Sequence, residues 1–139
     1  MMRMIDPVAT ILIIDDEPGI RHITSMIIKQ NDLDSPQVPL HTVEAGNGAE
    51  GLGLLFRHHP ELVILDNRLP DMNGSEWIER SGLIWPAAVI LISASAELES
   101  IARTHPVVVG MLAKPFKLAE LRMIIHKVLS RLLSKNVPS

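Results

Sequence analysis

Thr10-Ile-Leu-Ile-Ile-Asp-Asp16 sets an unbroken apolar run between a threonine and a pair of aspartates. The run does not alternate with polar residues, so neither of its faces is made for water. A short, Ile-rich run of this kind reads as a strand buried on both sides, which means a parallel sheet covered by helices. Three more runs share the form: Leu62-Val-Ile-Leu65, Val89-Ile-Leu-Ile92 and Val107-Val-Val-Gly-Met-Leu-Ala113. Each run also ends in chemistry. Asp15 and Asp16 follow the first, Asp66 the second, Ser93 the third and Lys114-Pro115 the fourth. In an open parallel sheet the ligand site lies beyond the carboxyl ends of the strands, at the switch in strand order. These residues are therefore expected to converge on one small acidic pocket, suited to a hard divalent cation and a phosphoryl group.

Between the runs the apolar period becomes helical. After Pro18, a good first-turn residue, Ile20, Ile23 and Ile27 repeat along one side. Asn47 can cap a helix from about Gly48 to His59, with Leu52, Leu55 and Phe56 inward. Glycines at 48, 51 and 53 weaken that helix. Asn73-Gly74 opens a short helix through Trp77 and Ile78 to about Ser81, and Ser95 or Ala96 starts another through Leu98 and Ile101. The last helix, about Lys117 to Ser134, carries the stripe Leu118, Leu121, Ile125, Val128 and Leu132. A strand near Leu40–Ala45 completes five. Asn31 to Pro39, with two prolines and two aspartates, reads as a surface loop. Strand then helix, five times over, predicts an α/β domain with a doubly wound parallel sheet and right-handed crossovers.

At 139 residues the chain is expected to form a single domain, 1–139, with its core at about 9–134 and a frayed tail at 135–139. Apolar residues are 47% and aromatics only 3%, so the core is built of Ile, Leu, Val and Met. A net charge of −3, with both signs mixed along the chain, gives no basic face for nucleic acid. The lack of cysteine excludes a disulfide frame and a thiolate metal site. Met1-Met-Arg-Met-Ile-Asp6 is too short and polar for a signal peptide, and no run approaches the roughly 20 apolar residues of a membrane span. The expectation is a soluble cytoplasmic protein.

Three clustered carboxylates repel one another and titrate as a coupled set. A divalent cation relieves that repulsion, and Mg²⁺ takes oxygen ligands, often carboxylates together with phosphate oxygens. A carboxylate can also attack phosphorus and form an acyl phosphate. In such transfers the protein chiefly positions groups and neutralises charge on the phosphoryl oxygens. Asp66, on the central strand, suits the nucleophile; Asp15 and Asp16 suit the metal; Lys114 and Ser93 suit the phosphoryl oxygens. Singly, each piece has a plainer reading. An Asp pair caps a helix, a lone Asp caps a turn, a Ser is unremarkable and Lys-Pro is a loop. Their coincidence at the ends of four buried strands favours the joint reading.

The residues that carry this chemistry resemble the receiver (response-regulator) domain of two-component signalling. The matching pieces are Ile11-Leu-Ile-Ile-Asp-Asp-Glu-Pro-Gly-Ile-Arg21, Glu44-Ala-Gly-Asn-Gly-Ala-Glu50, Pro60-Glu-Leu-Val-Ile-Leu-Asp66, Arg68-Leu-Pro-Asp-Met-Asn-Gly74, Ile90-Leu-Ile-Ser-Ala94 and Ala113-Lys-Pro-Phe116. The resemblance implies a flavodoxin-like sheet in the order 2-1-3-4-5. It implies that Asp66 accepts phosphate from a phosphohistidine on a sensor kinase or a phosphotransfer protein. Asp16, Asp66 and the backbone carbonyl of Arg68 would bind Mg²⁺, with Asp15 acting through water. Ser93 would hold a phosphoryl oxygen and shift inward, Lys114 would pair with the phosphoryl group, and the Lys114-Pro115 bond would be cis. The domain would catalyse its own phosphorylation and dephosphorylation. The switch would act on the face of helix four, strand five and helix five, which binds a downstream protein or forms a homodimer.

Three departures stand out. Met111 occupies the place where receivers commonly carry a Tyr or Phe. The loop at Asn31–Pro39 looks longer than usual. Arg68 and Ser95 flank the site at variable positions. Other readings compete: an N-terminal receiver piece of a longer regulator, a receiver-like interaction module that is not phosphorylated, and a haloacid-dehalogenase-like phosphatase. The last would want an acid two residues after Asp66, where Arg68 stands. The six histidines have no metal-ligand spacing. His58-His59 suits a helix end, His22, His105 and His126 read as solvated helix positions, and Trp77 and Trp85 read as packing around the third helix. Met123 falls out of phase with the last helix's stripe, either as a lone exposed residue or as part of the contact face.

Overall fold

Residues 9–34 and 39–134 are described by the structure, a computed structural model of the chain. The expected tail at 135–139 and the middle of the expected loop lie outside the described residues. The apolar runs are strands: Ile11, Leu12, Ile13 and Ile14, like Leu62 to Leu65, are buried throughout. The fourth run lies instead at the sheet edge and is not buried on both sides, with Val109 and Met111 each 43% exposed. The order is β1 (Ala9–Ile14), α1 (Pro18–Asp34), β2 (Leu40–Ala45), α2 (Gly48–His58), β3 (Leu62–Asp66), α3 (Gly74–Gly82), β4 (Ala88–Ala94), α4 (Ser95–Thr104), β5 (Val108–Lys114) and α5 (Leu118–Ser134). The strands pair in parallel as β2-β1-β3-β4-β5, the expected topology.

Alternate residues along each strand serve opposite faces. Ile11, Ile13, Leu62, Ile64, Ile90 and Ile92 meet Ile27 and Ile28 of α1 and Leu121, Ile125, Val128 and Leu129 of α5. Leu12, Ile14, Val63, Leu65, Val89 and Leu91 meet Leu55 of α2, Trp77 and Ile78 of α3 and Leu98 of α4. Register sets the strand ends level. Ile14 pairs with Leu65, so Asp15 follows one strand where Asp66 ends the next. Asp66 pairs with Ile92 and Ala94 with Lys114. Between Val89 and Ile90 the β4–β5 register slips by one residue, a bulge at Val109 that re-phases the rest of β5.

Several sequence expectations need correction. Asn31 to Asp34 is helical, not loop: it contains no Gly or Pro to stop α1, and Asn31 Oδ1 lies 2.8 Å from His126 Nδ1 of α5. Ile23 is exposed; the inward face of α1 is Thr24, Ile27 and Ile28, and Thr24 satisfies its hydroxyl by donating to the Ile20 carbonyl. Phe56 is 71% exposed, because Gly48, Gly51 and Leu55 form the inward line of α2. Leu118, at the first turn of α5, is 49% exposed; the stripe runs through Leu121, Ile125, Val128 and Leu129, with Leu132 partly buried against it as expected. His105 is not on a helix face but follows the end of α4. Met123 is exposed, out of the stripe as expected.

The caps read from sequence are present. Asn47 accepts from the Glu50 N–H and Asn73 from the Glu76 N–H. His59 ends α2 at φ 46°, with its ring stacked on Trp85 at 4.4 Å. Trp77 is fully buried and donates its indole N–H to the Gly48 carbonyl at 3.0 Å. The glycines of α2 differ in kind. A Cβ on Gly51 would meet Ile14 Cδ1 at 2.5 Å and Trp77 Nε1 at 3.1 Å, whereas one on Gly53 would meet nothing. Gly51 lets the helix lie against β1. Gly51→Ala is therefore expected to destabilise, because overpacking of about 1–3 kcal/mol exceeds the helix-propensity gain of about 1 kcal/mol. Gly53→Ala takes that gain alone. Urea midpoints should move in opposite directions for the two variants.

Candidate functional site

β1 and β3 end side by side and deliver their carboxylates to one spot. Asp15 and Asp66 are each 3% exposed, and Asp16 stands at the rim. One carboxylate oxygen from each of the three lies within 4.8 Å of the others. From β5, Lys114 Nζ reaches Asp66 Oδ1 at 2.9 Å. The Lys114–Pro115 peptide that follows is cis, as the resemblance implied. Asp15 is fixed locally: its Oδ1 accepts from the Glu17 N–H at 2.9 Å, and its carbonyl accepts from Arg21 Nη1 at 2.6 Å. Arg21 is steadied in turn by Glu44 at 3.2 Å.

The electrostatics follow from burial. Loss of water pushes the Asp15 carboxyl up from 3.8 to about 6; the bond from Glu17 works against this, and the charge of Asp66 adds to it. For Lys114, burial alone would lower its pKa. The hydrogen bond to Asp66 and the charges of Asp66, Asp15 and Glu17 outweigh burial and hold the ammonium above its usual value. Three ionised carboxylates and one ammonium leave an excess of two negative charges. This all-oxygen, electron-rich donor set fits a hard divalent cation such as Mg²⁺.

A second network lies beside the first. Ser93, 2% exposed, donates its hydroxyl to Glu97 Oε2 at 2.7 Å. The buried Asn67 side chain donates to the same oxygen at 2.8 Å, and its own Oδ1 accepts from the Gly74 N–H at 2.9 Å. Arg68 Nη2 is 3.8 Å from Glu97 Oε1. The bonds from Ser93 and then Asn67 hold the Glu97 carboxyl below its usual value against the cost of desolvation, with a further contribution from Arg68.

Comparison with known proteins agrees with this geometry. The family model described as the response regulator receiver domain matches residues 11–126. The chain belongs to the response regulator receiver family. It is similar to sporulation initiation phosphotransferase F of Bacillus subtilis, 31% identical over 121 residues that span 86% of this receiver and 92% of that protein. It is also similar to the regulatory protein AtoC of Escherichia coli, 31% identical over 121 residues, but there it spans 25% of the longer chain. Among solved structures, the receiver domain of AraT from Geobacillus stearothermophilus matches with a TM-score of 0.74 at 26% identity, covering 93% of this chain and 98% of that one. A CheY-like receiver from Methanospirillum hungatei shares the fold with a TM-score of 0.74 at 24% identity, over 92% and 98% of the two chains. The protein is thus a receiver domain of two-component signalling. Among the described residues, no helix is long and apolar enough to cross a membrane.

Of the residues the sequence singled out, the fold brings Asp15, Asp16, Asp66 and Lys114 together. Ser93 stands at the adjoining strand end, but its hydroxyl is turned to Glu97. The Arg68 side chain points the same way, to the Glu97 carboxylate. Sequence reading missed Glu97 and Asn67. The available signal was local: Glu97 stands four residues after Ser93, in the first turn of the next helix.

The buried acid of this receiver makes stability pH-dependent with a definite sign. Asp15 holds its proton more tightly folded than unfolded, so between 3.8 and about 6 the native state binds the extra proton. Stability from this group therefore falls as pH rises through that window, and the penalty is complete above it. Asp15→Asn keeps an oxygen for the Glu17 N–H and cannot ionise. Its thermal unfolding temperature should exceed the wild-type value at neutral pH, with the difference closing as pH falls to about 4. A gap that stays constant with pH would mean that Asp15 carries no such penalty.

Proposed function

We propose that this receiver is a phosphorylation-controlled switch with Asp66 as the phosphoacceptor. The observation that carries the reading is the 2.9 Å pair between Lys114 and a buried Asp66 inside a three-carboxylate cluster. An Asp66 oxygen attacks the phosphorus of a phosphohistidine on a sensor kinase or phosphotransfer protein. The new P–O bond forms as the P–N bond breaks, and the imidazole leaves with the electron pair. Lys114 is already beside Asp66 and pairs with an oxygen of the arriving group. Asp16, Asp66 and the backbone carbonyl of Arg68 would hold Mg²⁺, with Asp15 acting through water. When bound, the cation supplies positive charge to the phosphoryl oxygens. Attack of water on phosphorus returns inorganic phosphate and the free carboxylate.

Phosphorylation then favours one of two conformations of the α4–β5–α5 face and so changes affinity for a downstream protein. Val109, Met111, Leu118 and Met123 are exposed on this face, a set of apolar side chains suited to a protein target or a second copy. Met111 replaces the aromatic that receivers commonly carry, so coupling relies on a flexible thioether. The net charge of −3 argues against direct nucleic-acid binding, and the cytoplasm is the compartment we assign.

The test is intact mass after incubation with acetyl phosphate, with and without Mg²⁺, alongside release of inorganic phosphate. The expected result is one added phosphoryl group that requires Mg²⁺ and is lost in mild base. Rapid phosphate release with little adduct would count equally, as fast turnover of the same intermediate. A folded protein that does neither is a receiver fold used for binding alone.

A further inference from the structure

Ser93 has one hydroxyl proton, and that proton is already in use. It is donated at 2.7 Å to Glu97 Oε2, the same oxygen that takes the Asn67 amide at 2.8 Å. A glutamate at the third position of a helix commonly turns back to the backbone N–H of the N-cap residue. Here Glu97 reaches sideways to the ends of β3 and β4. The N-cap residue Ala94 makes no side-chain bond to α4, whereas α2 and α3 are capped by Asn47 and Asn73. The first turn of α4 is thus tied to the sheet by one carboxylate. Strand parity fits this arrangement. Ser93 continues the line of Val89 and Leu91, which face α2, α3 and α4, while Asp66 continues that of Leu62 and Ile64, which face α1 and α5.

We propose that Glu97 is a latch on Ser93: its carboxylate occupies the hydroxyl that a phosphoryl group on Asp66 would otherwise bind, and so sets how readily the switch turns. The proposal rests on the phosphoacceptor reading above. A carboxylate and a phosphoryl group are both anionic oxygen acceptors, and one proton cannot serve both. Phosphorylation must therefore break the Ser93–Glu97 bond before Ser93 can engage. Once it breaks, Glu97 keeps, among the described residues, Asn67 and the more distant Arg68, and the first turn of α4 loses an anchor. The latch biases the equilibrium toward the unphosphorylated conformation, and the site is coupled to α4 through it. Glu97 is a positioning residue; it acts through Ser93 and does not touch the reacting atoms.

The experiment measures affinity for beryllofluoride, a phosphoryl mimic, in the presence of Mg²⁺ by calorimetry on the full chain. Glu97→Ala is expected to bind about tenfold more tightly than wild type, the scale of one hydrogen bond to a charged group. Glu99→Ala, on the exposed side of the same helix, is the control for removal of an α4 acid and should leave affinity unchanged. In a Ser93→Ala background the gain from Glu97→Ala should vanish, because the latched group is absent. A gain that persists without Ser93 is a general charge effect and overturns the latch. Equal affinity of wild type and Glu97→Ala overturns the latch alone, since wild-type binding keeps Asp66 as the acceptor site. Failure of wild type to bind beryllofluoride overturns the acceptor reading and the latch together.

Discussion

Asp66→Asn is expected to end phosphoryl uptake entirely while leaving the protein folded and no less stable. The amide oxygen still accepts from Lys114 Nζ, so the 2.9 Å contact that anchors the lysine survives. The amide is no nucleophile at phosphorus, so the covalent step is lost outright. The site's excess charge falls from two to one when one of the three carboxylates is neutralised. Asp66 is among the groups that raise the Asp15 carboxyl, so that group should titrate lower in the variant. It should not return to its ordinary value, because burial is the larger cause. Mg²⁺ should protect the variant against heat much less than it protects wild type, since one carboxylate ligand is gone and protection follows affinity by mass action. Intact mass and thermal unfolding with and without Mg²⁺ read all of this. A persistent adduct in Asp66→Asn would move the acceptor to Asp15 or Asp16.

The pattern that made the fold legible also hid part of the site. Continuous apolar runs such as Ile11–Ile14 and Leu62–Leu65 identify strands because both of their faces need cover. For the same reason they carry no phase. With Ile, Leu and Val on both sides, nothing in the run tells which residues face α1 and α5 and which face α2 to α4. Asp15, Asp16, Asp66 and Lys114 could be brought together from strand ends alone. The direction of Ser93 could not, and that direction is what gives its hydroxyl to Glu97. The bulge at Val109 is invisible for a related reason: it is a property of β5 paired with β4, not of β5.

Helix faces were legible in their middles and misread at their margins. Leu55, Leu121, Ile125 and Val128 are buried as periodicity requires. Phe56 and Leu118 satisfy the period as well, but both are exposed, at 71% and 49%. Gly51 shows the converse. Composition scores it as a weakness in α2, whereas the contact with Ile14 and Trp77 makes the missing side chain a packing requirement.

Lys114→Met separates the electrostatic role of the lysine from its structural one. Methionine keeps much of the aliphatic stem and loses the ammonium. Buried Asp66 then has no cation at 2.9 Å. Lys114 is 36% exposed, so solvent screens the pair and its loss costs about 1–2 kcal/mol rather than the full cost of a buried pair. The metal-free variant should therefore unfold at a distinctly lower temperature. Mg²⁺ should bind it more tightly than wild type, because the cluster gains one more uncompensated charge and no ammonium competes for Asp66. Saturating Mg²⁺ should restore most of the lost stability. Phosphoryl uptake from acetyl phosphate should nevertheless fall by about 100-fold even with Mg²⁺ saturating, the scale of losing one preorganised charge at the transferring group. Metal affinity and transfer rate thus move in opposite directions. A lysine that only supported the fold would give wild-type uptake once Mg²⁺ had restored stability, and that outcome would remove Lys114 from the chemistry.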